Sequence, residues 1–141
     1  NQEWYESLSE DSLLEEFDIL VNSTGDGTIG RSAIADEKCK GLPFDSHILR
    51  IRSIIESKYI CYLINSNFGQ QLVSLSKGAT STKQTELGVN NLNNFPIPLP
   101  PLSEQQAIVV KVAGLLEKVS ALEAENKAQQ VEFECLILAV L

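Results

Sequence analysis

The chain has 141 residues, a formal net charge of −8 and three cysteines, so it can form one modest domain plus one long helix. Its longest apolar run is too short to span a membrane, and Cys39, Cys61 and Cys135 form no CxxC pair. The sequence therefore predicts neither a membrane protein nor a structural zinc site, and it favours a reducing, cytoplasmic compartment.

The charge is distributed unevenly along the chain. Residues 28–83 carry eight basic side chains against four acidic ones, whereas the segments on either side are acidic. The middle of the chain is therefore the candidate for contacting phosphate groups. Scattered lysines that only solvate an acidic protein are the alternative interpretation.

The first half of the chain predicts a small sheet. Residues 9–12 predict a capped helical turn, residues 18–21 a short buried strand, and residues 28–35 a second strand that forms a hairpin with it. Residues 36–43 predict a loop. Alternating apolar and polar residues at 47–52 predict a further, half-buried strand.

The second half begins with a predicted helical segment. Ser57 is its expected cap, residues 67–69 are its expected break, and Gly78 in a left-handed conformation is its expected stop. Residues 79–94 predict a polar surface loop. The prolines within residues 95–101 fix φ and predict a stiff, extended strut, after which a capping box at residues 103–106 starts a long helix.

Residues 103–141 predict one helix with a coiled-coil seam. The seam follows steps of three and four residues through Val112, Leu115, Val119, Leu122, Asn126, Gln129, Phe133, Leu136 and Val140. Its two polar members, Asn126 and Gln129, are expected to fix register and helix number. Such a helix is about 55 Å long, farther than the rest of the chain can cover, so it needs a partner helix. A surface helix folded back on its own domain is the alternative.

No motif points to catalysis or to a cofactor. Residues 25–30 satisfy GxGxxG, but the helix that a dinucleotide site requires does not follow, so the glycines indicate a tight turn or a close approach to phosphate. His47 stands beside Ser46 and Asp45, yet neighbours on a strand point to opposite faces. The sequence therefore predicts a non-catalytic chain with neither a metal nor a cofactor.

Two polar loops, residues 22–31 and 77–91, have side chains that suit nucleic acid. Arginine and lysine contact phosphates, glycines allow close approach, and hydroxyl and amide groups hydrogen-bond base edges. Arg31, Lys77 and Lys83 are the expected phosphate contacts. The other candidate DNA-binding residues are Ser23, Thr24, Gly25, Gly27, Gly78, Thr80, Ser81 and Asn90.

Several blocks of the sequence resemble the specificity subunit of type I restriction-modification systems. They are residues 17–21 with Gly25 and residues 29–31, then residues 46–50, 77–80 and 90–92, and most specifically PLPPLSEQ at residues 98–105. The resemblance implies an α+β fold with a mixed target-recognition domain at residues 1–95. A proline-rich strut at residues 96–102 and a long coiled-coil helix at residues 103–141 would follow it.

The resemblance also implies a function and partners. In that family, a target-recognition domain reads one half of a split double-stranded DNA site, and the long helix pairs antiparallel with a second one as a spacer. Methyltransferase (modification) and restriction subunits complete the assembly, and methyl transfer from S-adenosylmethionine belongs to the methyltransferase. This chain resembles one half of such a subunit, with the start of its recognition domain missing or truncated, and the resemblance implies pairing with a second half or a second copy.

Two other interpretations remain open. A coiled-coil adaptor whose head binds protein without binding DNA is favoured by the net charge of −8. An enzyme domain associated with modification is the third possibility.

Overall fold

The computed structural model describes residues 8–76, 78–79 and 85–140, and the chain divides into one unit that ends at Gln105 and another that begins at Gln106. The strands are β1 (Ile19–Asn22), β2 (Ser32–Ile34), β3 (Ile48–Ile51), β4 (Gly78–Ala79) and β5 (Thr85–Glu86). The helices are α1 (Ser57–Asn65), α2 (Asn67–Ser76), α3 (Val89–Asn93) and α4 (Leu102–Val140), with short 3-10 turns at Glu10–Ser12 and Glu37–Cys39. This mixture confirms the predicted α+β class.

Strand β1 is the centre of a three-stranded antiparallel sheet with the order β2-β1-β3. Ile19 lies opposite Ile34 on one side and opposite Ile51 on the other. The predicted hairpin of β1 and β2 is confirmed, but its second strand is shorter than expected. Residues 28–30 belong to the turn, where Gly30 adopts a φ of +79° that a regular strand does not allow.

The core lies against this sheet and follows the alternation of β1. Ile19 and Val21 are completely buried, whereas the residues between and after them are half-buried. Other buried apolar side chains come from the turns, from α1 and α2, and from the segment after β5; they are Leu14, Ile29, Ala35, Tyr59, Ile60, Cys61, Ile64, Val73 and Leu87. Burying each large aliphatic side chain contributes roughly 1.5–3 kcal/mol.

The predicted helical segment forms two helices, and its caps differ from those expected. The side chain of Glu56, rather than that of Ser57, accepts a hydrogen bond from the Lys58 amide and caps α1. The break falls at Ser66, whose backbone is extended and whose hydroxyl donates to the Leu63 carbonyl at 2.6 Å. Serine is a preferred N-cap residue and glutamate is not, yet Glu56 occupies the cap position here and its side chain reaches the Lys58 amide.

The described residues among 79–94 are more structured than the polar loop that the sequence predicts. Gly78 pairs with Glu86 in a two-stranded ladder, so it is a strand residue and not the expected left-handed helix stop. Helix α3 follows after Leu87. The Asn91 side-chain amide donates to the Ser76 carbonyl at 2.8 Å and satisfies a carbonyl at the end of α2.

The proline segment has no helix or strand at residues 95–101 and is held by side chains. The Tyr59 hydroxyl donates to the Pro98 carbonyl at 2.7 Å. The Gln105 side chain, 3% exposed, donates to the Pro100 carbonyl and accepts from the Glu56 amide. The expected capping box is wrong, because α4 already begins at Leu102. The amides of Glu104 and Gln105 donate to the Pro101 carbonyl, so Pro101 and not Ser103 stands at the cap position.

Helix α4 confirms the predicted long helix, with 39 residues and a length of about 58 Å. Apolar side chains at the predicted seam are exposed, including Leu115, Val119, Leu122, Phe133 and Leu136. Others at different heptad positions are also exposed, namely Val110, Leu116, Val131, Ile137 and Leu138. Across the described ranges, no helix has both the length and the apolar character needed to cross a bilayer.

Candidate nucleic-acid interface

The turn between β1 and β2 is held by side-chain hydrogen bonds. The Asn22 amide donates to the Thr24 carbonyl at 2.7 Å and to the Thr28 hydroxyl at 2.9 Å. Gly25 has a φ of +100°, and a Cβ there would lie 2.5 Å from the Thr28 Oγ1. The turn therefore requires glycine at this position and has a defined shape. Its tip, residues 25–28, is exposed.

The far end of this turn is fastened to helix α2. The Gln70 side chain donates to the Gly30 carbonyl at 3.0 Å. A Cβ on Gly30 would come within 2.5 Å of Val73, so the helix packs directly on the backbone. Arg31 follows with an exposed side chain, and no acidic group among the described residues forms a salt bridge with it. One cation is thus available beside a rigid turn.

Ser23 connects the near end of the turn to two other segments. Its amide and its hydroxyl both donate to the His47 carbonyl, each at 2.8 Å, at the start of β3. Its own carbonyl accepts a hydrogen bond from the Leu87 amide at 2.9 Å. Ser23 is 1% exposed and Leu87 is fully buried, so these bonds are shielded from water.

The second predicted loop is joined to the first through this contact. Leu87 follows β5, and after Gly88 the chain enters α3, where the side chain of Asn90 is exposed. The backbone of Gly78 lies in β4. Four further candidates lie outside the described residues: Lys77, Thr80, Ser81 and Lys83.

The predicted DNA-binding residues therefore have different environments. Gly25, Gly27, Arg31 and Asn90 are exposed, and Thr24 is half-buried. The side chain of Ser23 faces the interior, so it can shape the surface but cannot reach a base in this arrangement. The helix-pairing candidates lie on α4, where the side chain of Val140 is outside the described part of the chain.

Two basic residues of the middle segment form contacts within the domain. Arg52 donates to both carboxylate oxygens of Asp18 at 2.9 Å, and Asp18 is 1% exposed. Arg50 donates to the carbonyls of Asp11 and Leu13, and its guanidinium stacks over a phenylalanine ring at 5.3 Å. Both guanidinium groups therefore hydrogen-bond within the domain, although the Arg52 side chain is still 45% exposed.

The environment of Asp18 changes the pKa values of the pair. Burial alone raises the pKa of Asp18, but hydrogen bonds from Arg52 and from the Glu15 amide, with the charges of Arg52 and Arg50, lower it below its ordinary value. The same hydrogen bond raises the pKa of Arg52. Asp18 is therefore a structural anion that anchors β3 to β1.

Sequence reasoning missed the residues that support the interface. Asn22, Gln70 and Leu87 shape the turn or link its neighbours, yet none was among the candidate site residues. Leu87 offered a signal, because it is an apolar residue in a polar stretch. Asn22 offered another, since asparagine before a glycine-rich segment commonly bonds to the backbone two residues on. Gln70 is an ordinary polar helix residue without such a signal.

Comparison with known proteins gives two findings. The family model described as "Type I restriction modification DNA specificity domain" matches residues 1–132. The chain is also 26% identical, over 120 residues, to the "Type I restriction enzyme EcoEI specificity subunit" of Escherichia coli. This alignment covers 82% of the chain and 20% of the relative, so the chain spans about a fifth of that relative's length.

Proposed function

The chain belongs to the type I restriction-modification DNA specificity domain family, and from this premise we propose that it recognises one half of a split double-stranded DNA target. Recognition is its contribution to the assembly, and methyl transfer and cleavage are the work of partner subunits. The observation that carries the proposal is the hydrogen bond between the Leu87 amide and the Ser23 carbonyl, which joins the two segments with nucleic-acid-binding character.

The exposed groups on these segments suit a DNA duplex. Arg31 supplies a cation for phosphate, and the exposed glycines of the turn let the backbone approach the duplex closely. Thr24 and Asn90 offer groups that hydrogen-bond base edges, and an asparagine amide matches the donor and acceptor pair of adenine in the major groove. Lys77 and Lys83, with Gly78, Thr80 and Ser81, extend this proposed surface.

The long helix supports the second part of the proposal, which is a spacer that pairs antiparallel with another helix. Exposed Leu115, Leu122 and Phe133 lie on the predicted seam. A continuous exposed apolar surface of this kind is typical of a protein-protein contact. Asn126 and Gln129 would set the register of the pair. The helix of a second specificity half, or of a second copy, is the proposed partner.

Apolar residues outside the seam support a further partner on the same helix. Val110, Val131 and Leu138 each lie two positions from a seam residue, on the opposite side of α4, and all three are exposed. A single paired helix cannot cover both sides. We assign this opposite side to docking of the methyltransferase subunits, with the restriction subunits joining the assembly.

The experiment that tests DNA recognition is selection from a randomised duplex library. The 141-residue chain is incubated with duplexes that carry ten random base pairs, and bound duplexes are amplified and sequenced over several rounds. We expect enrichment of one short sequence. Replacing Arg31 by alanine should lower affinity for that duplex about threefold to tenfold and reduce the salt dependence, while Lys38→Ala, on the 3-10 turn, serves as the control.

A lack of enrichment would refute recognition by this chain and would leave the adaptor interpretation, which the net charge of −8 favours. Enrichment accompanied by equal effects of the two alanine variants would remove Arg31 from the interface while retaining the function.

A further inference from the structure

We propose that Ser23 is the positioning residue of the DNA-binding surface, because it holds the β1–β2 turn and the segment leading into α3 in one fixed arrangement. The inference rests on the proposed function and adds to it. Recognition would depend on a buried residue that never touches the DNA: its hydroxyl and amide hold the His47 carbonyl, and its own carbonyl holds the Leu87 amide.

The geometry places Ser23 where three segments of the chain meet. Both of its donors, the amide and the hydroxyl, engage the same carbonyl of His47, which uses the two lone pairs of that oxygen. Its carbonyl receives the amide of Leu87. Residues separated by 24 positions along the chain are thereby joined, and the third segment lies farther still.

The groups that would face DNA lie only a few residues from this junction. Thr24 and Gly25 follow Ser23 directly, and Asn90 comes three residues after Leu87. A displacement of Ser23 therefore shifts both sets of groups. Base recognition needs donor and acceptor atoms held to within a fraction of an ångström, so support behind the contacts matters as much as the contacts themselves.

The remaining bonds of the turn keep its internal shape or connect it to α3 only indirectly, through α2, whose Ser76 carbonyl accepts from the Asn91 side chain. Asn22 closes the turn on itself through Thr24 and Thr28. Gln70 ties its far end to α2. Among the described residues, the Ser23–Leu87 bond joins this turn directly to the segment before α3, and the Ser23–His47 bonds extend the sheet pairing of Asn22 with Ile48 into the turn.

Valine and threonine at position 23 make a matched pair for the test. Ser23→Thr adds one methyl group at the buried site, and Ser23→Val adds the same methyl group and replaces the hydroxyl by a second one. The two side chains have nearly the same shape, but only threonine keeps a hydroxyl that can donate to the His47 carbonyl. Ser23→Thr and Ser23→Val are compared with the unchanged chain on the duplex enriched by the library selection and on a scrambled duplex.

We expect Ser23→Val to weaken binding of the enriched duplex about tenfold while changing binding of the scrambled duplex less than about twofold. Ser23→Thr should retain affinity to within about threefold. Ser23→Ala replaces the valine variant if that protein does not fold, since alanine adds no volume.

A base-pair scan separates positioning from general weakening. Each base pair of the enriched duplex is changed in turn, and affinities are measured for the Thr24→Ala, Asn90→Ala and Ser23→Val proteins. Ser23→Val should relax specificity at the positions that Thr24→Ala affects and also at those that Asn90→Ala affects. Amide hydrogen exchange provides a readout without DNA, and exchange at Leu87 should be faster in Ser23→Val than in Ser23→Thr.

Three results would overturn the inference. They are equal specificity in the valine and threonine proteins, a loss confined to the positions sensitive to Thr24→Ala, and a uniform loss on enriched and scrambled duplexes. Failure of the unchanged chain to enrich any duplex is a separate result, which refutes the proposed function and the inference together.

Discussion

Asp18 and Arg52 form a two-bond ion pair, with Nε to Oδ1 and Nη2 to Oδ2 both at 2.9 Å, that joins the start of β1 to the residue after β3. The carboxylate is 1% exposed and the guanidinium side chain is 45% exposed. Water can solvate the arginine if the pair is broken, but Asp18 has no access to it. Losing the pair therefore destabilises the fold mainly because the buried carboxylate of Asp18 is left without a partner.

Replacing Asp18 by asparagine should lower the free energy of unfolding by about 2 kcal/mol, because charge-assisted hydrogen bonds to Arg52 are lost. The control is Asp26→Asn, which removes the same charge from an exposed turn and should change stability by less than about 0.5 kcal/mol. Urea unfolding of the two variants measures both quantities. Equal effects would mean that net charge, not the ion pair, sets the stability.

Acid should weaken the same contact. The folded pKa of Asp18 is lowered, so its stabilising contribution is complete above the unfolded pKa and is lost as pH falls through the folded value. We expect the stability difference between the unchanged chain and Asp18→Asn to be constant near neutrality and to shrink below about pH 4. Urea midpoints from pH 7 to pH 3 measure it. A difference that persists unchanged at pH 3 would contradict the assignment.

Gly30→Ala should destabilise the fold by about 2–4 kcal/mol, because the position combines a φ of +79° with a Cβ that would clash with Val73. Gly27→Ala is the matched control, since Gly27 has a φ of +73° and open space around it. That variant should lose only about 1 kcal/mol. Adding Val73→Ala should restore part of the stability lost in Gly30→Ala, because it removes the clash, and should restore none in Gly27→Ala. Thermal unfolding of the single and double variants measures both effects.

The cysteines should react with a maleimide at different rates. Cys135 is exposed on α4, whereas Cys61 is 5% exposed and its pKa is raised by burial despite a hydrogen bond with Ser32. Both access and thiolate fraction therefore disfavour Cys61. We expect Cys135 to be labelled at least about tenfold faster at pH 7, with Cys61 labelled fully after denaturation. Mass spectrometry of digested samples assigns each site, and comparable rates would indicate frequent opening of the core.

Helix pairing should depend on the side of α4 that carries the seam. Leu122→Glu places a charge at a seam position and should weaken self-association at least about tenfold. Ala124→Glu introduces the same charge two residues on, at an exposed position outside the seam, and should leave association within about threefold. Light scattering coupled to gel filtration across micromolar concentrations measures both. A monomeric unchanged chain would contradict pairing between copies.

Local sequence patterns predicted the elements whose information lies within a few residues. The alternation at residues 47–52 and the buried run at residues 18–21 predicted β3 and β1, and the heptad spacing predicted α4. Cap positions were predicted less well, because several adjacent residues can cap a helix and packing selects among them. Glu56 caps α1 in place of Ser57, and α4 starts at Leu102, before the expected capping box.

The candidate interface depended more on contacts between distant residues. The exposed Arg31 and Asn90 could be chosen from residue type, but the burial of Ser23 and the internal use of Arg52 could not. A polar residue has the same appearance in a sequence whether its hydrogen bonds go to water, to DNA or to the chain itself.

By itself, the sequence determined the α+β class, the long helix and the family resemblance, since these follow from periodicity and from short blocks of neighbouring residues. Only the tertiary structure decided which polar side chains remain exposed, and that Ser23 meets both His47 and Leu87. The physical reason is that hydrogen bonds between residues far apart in the chain form only after the hydrophobic core has brought their strands together.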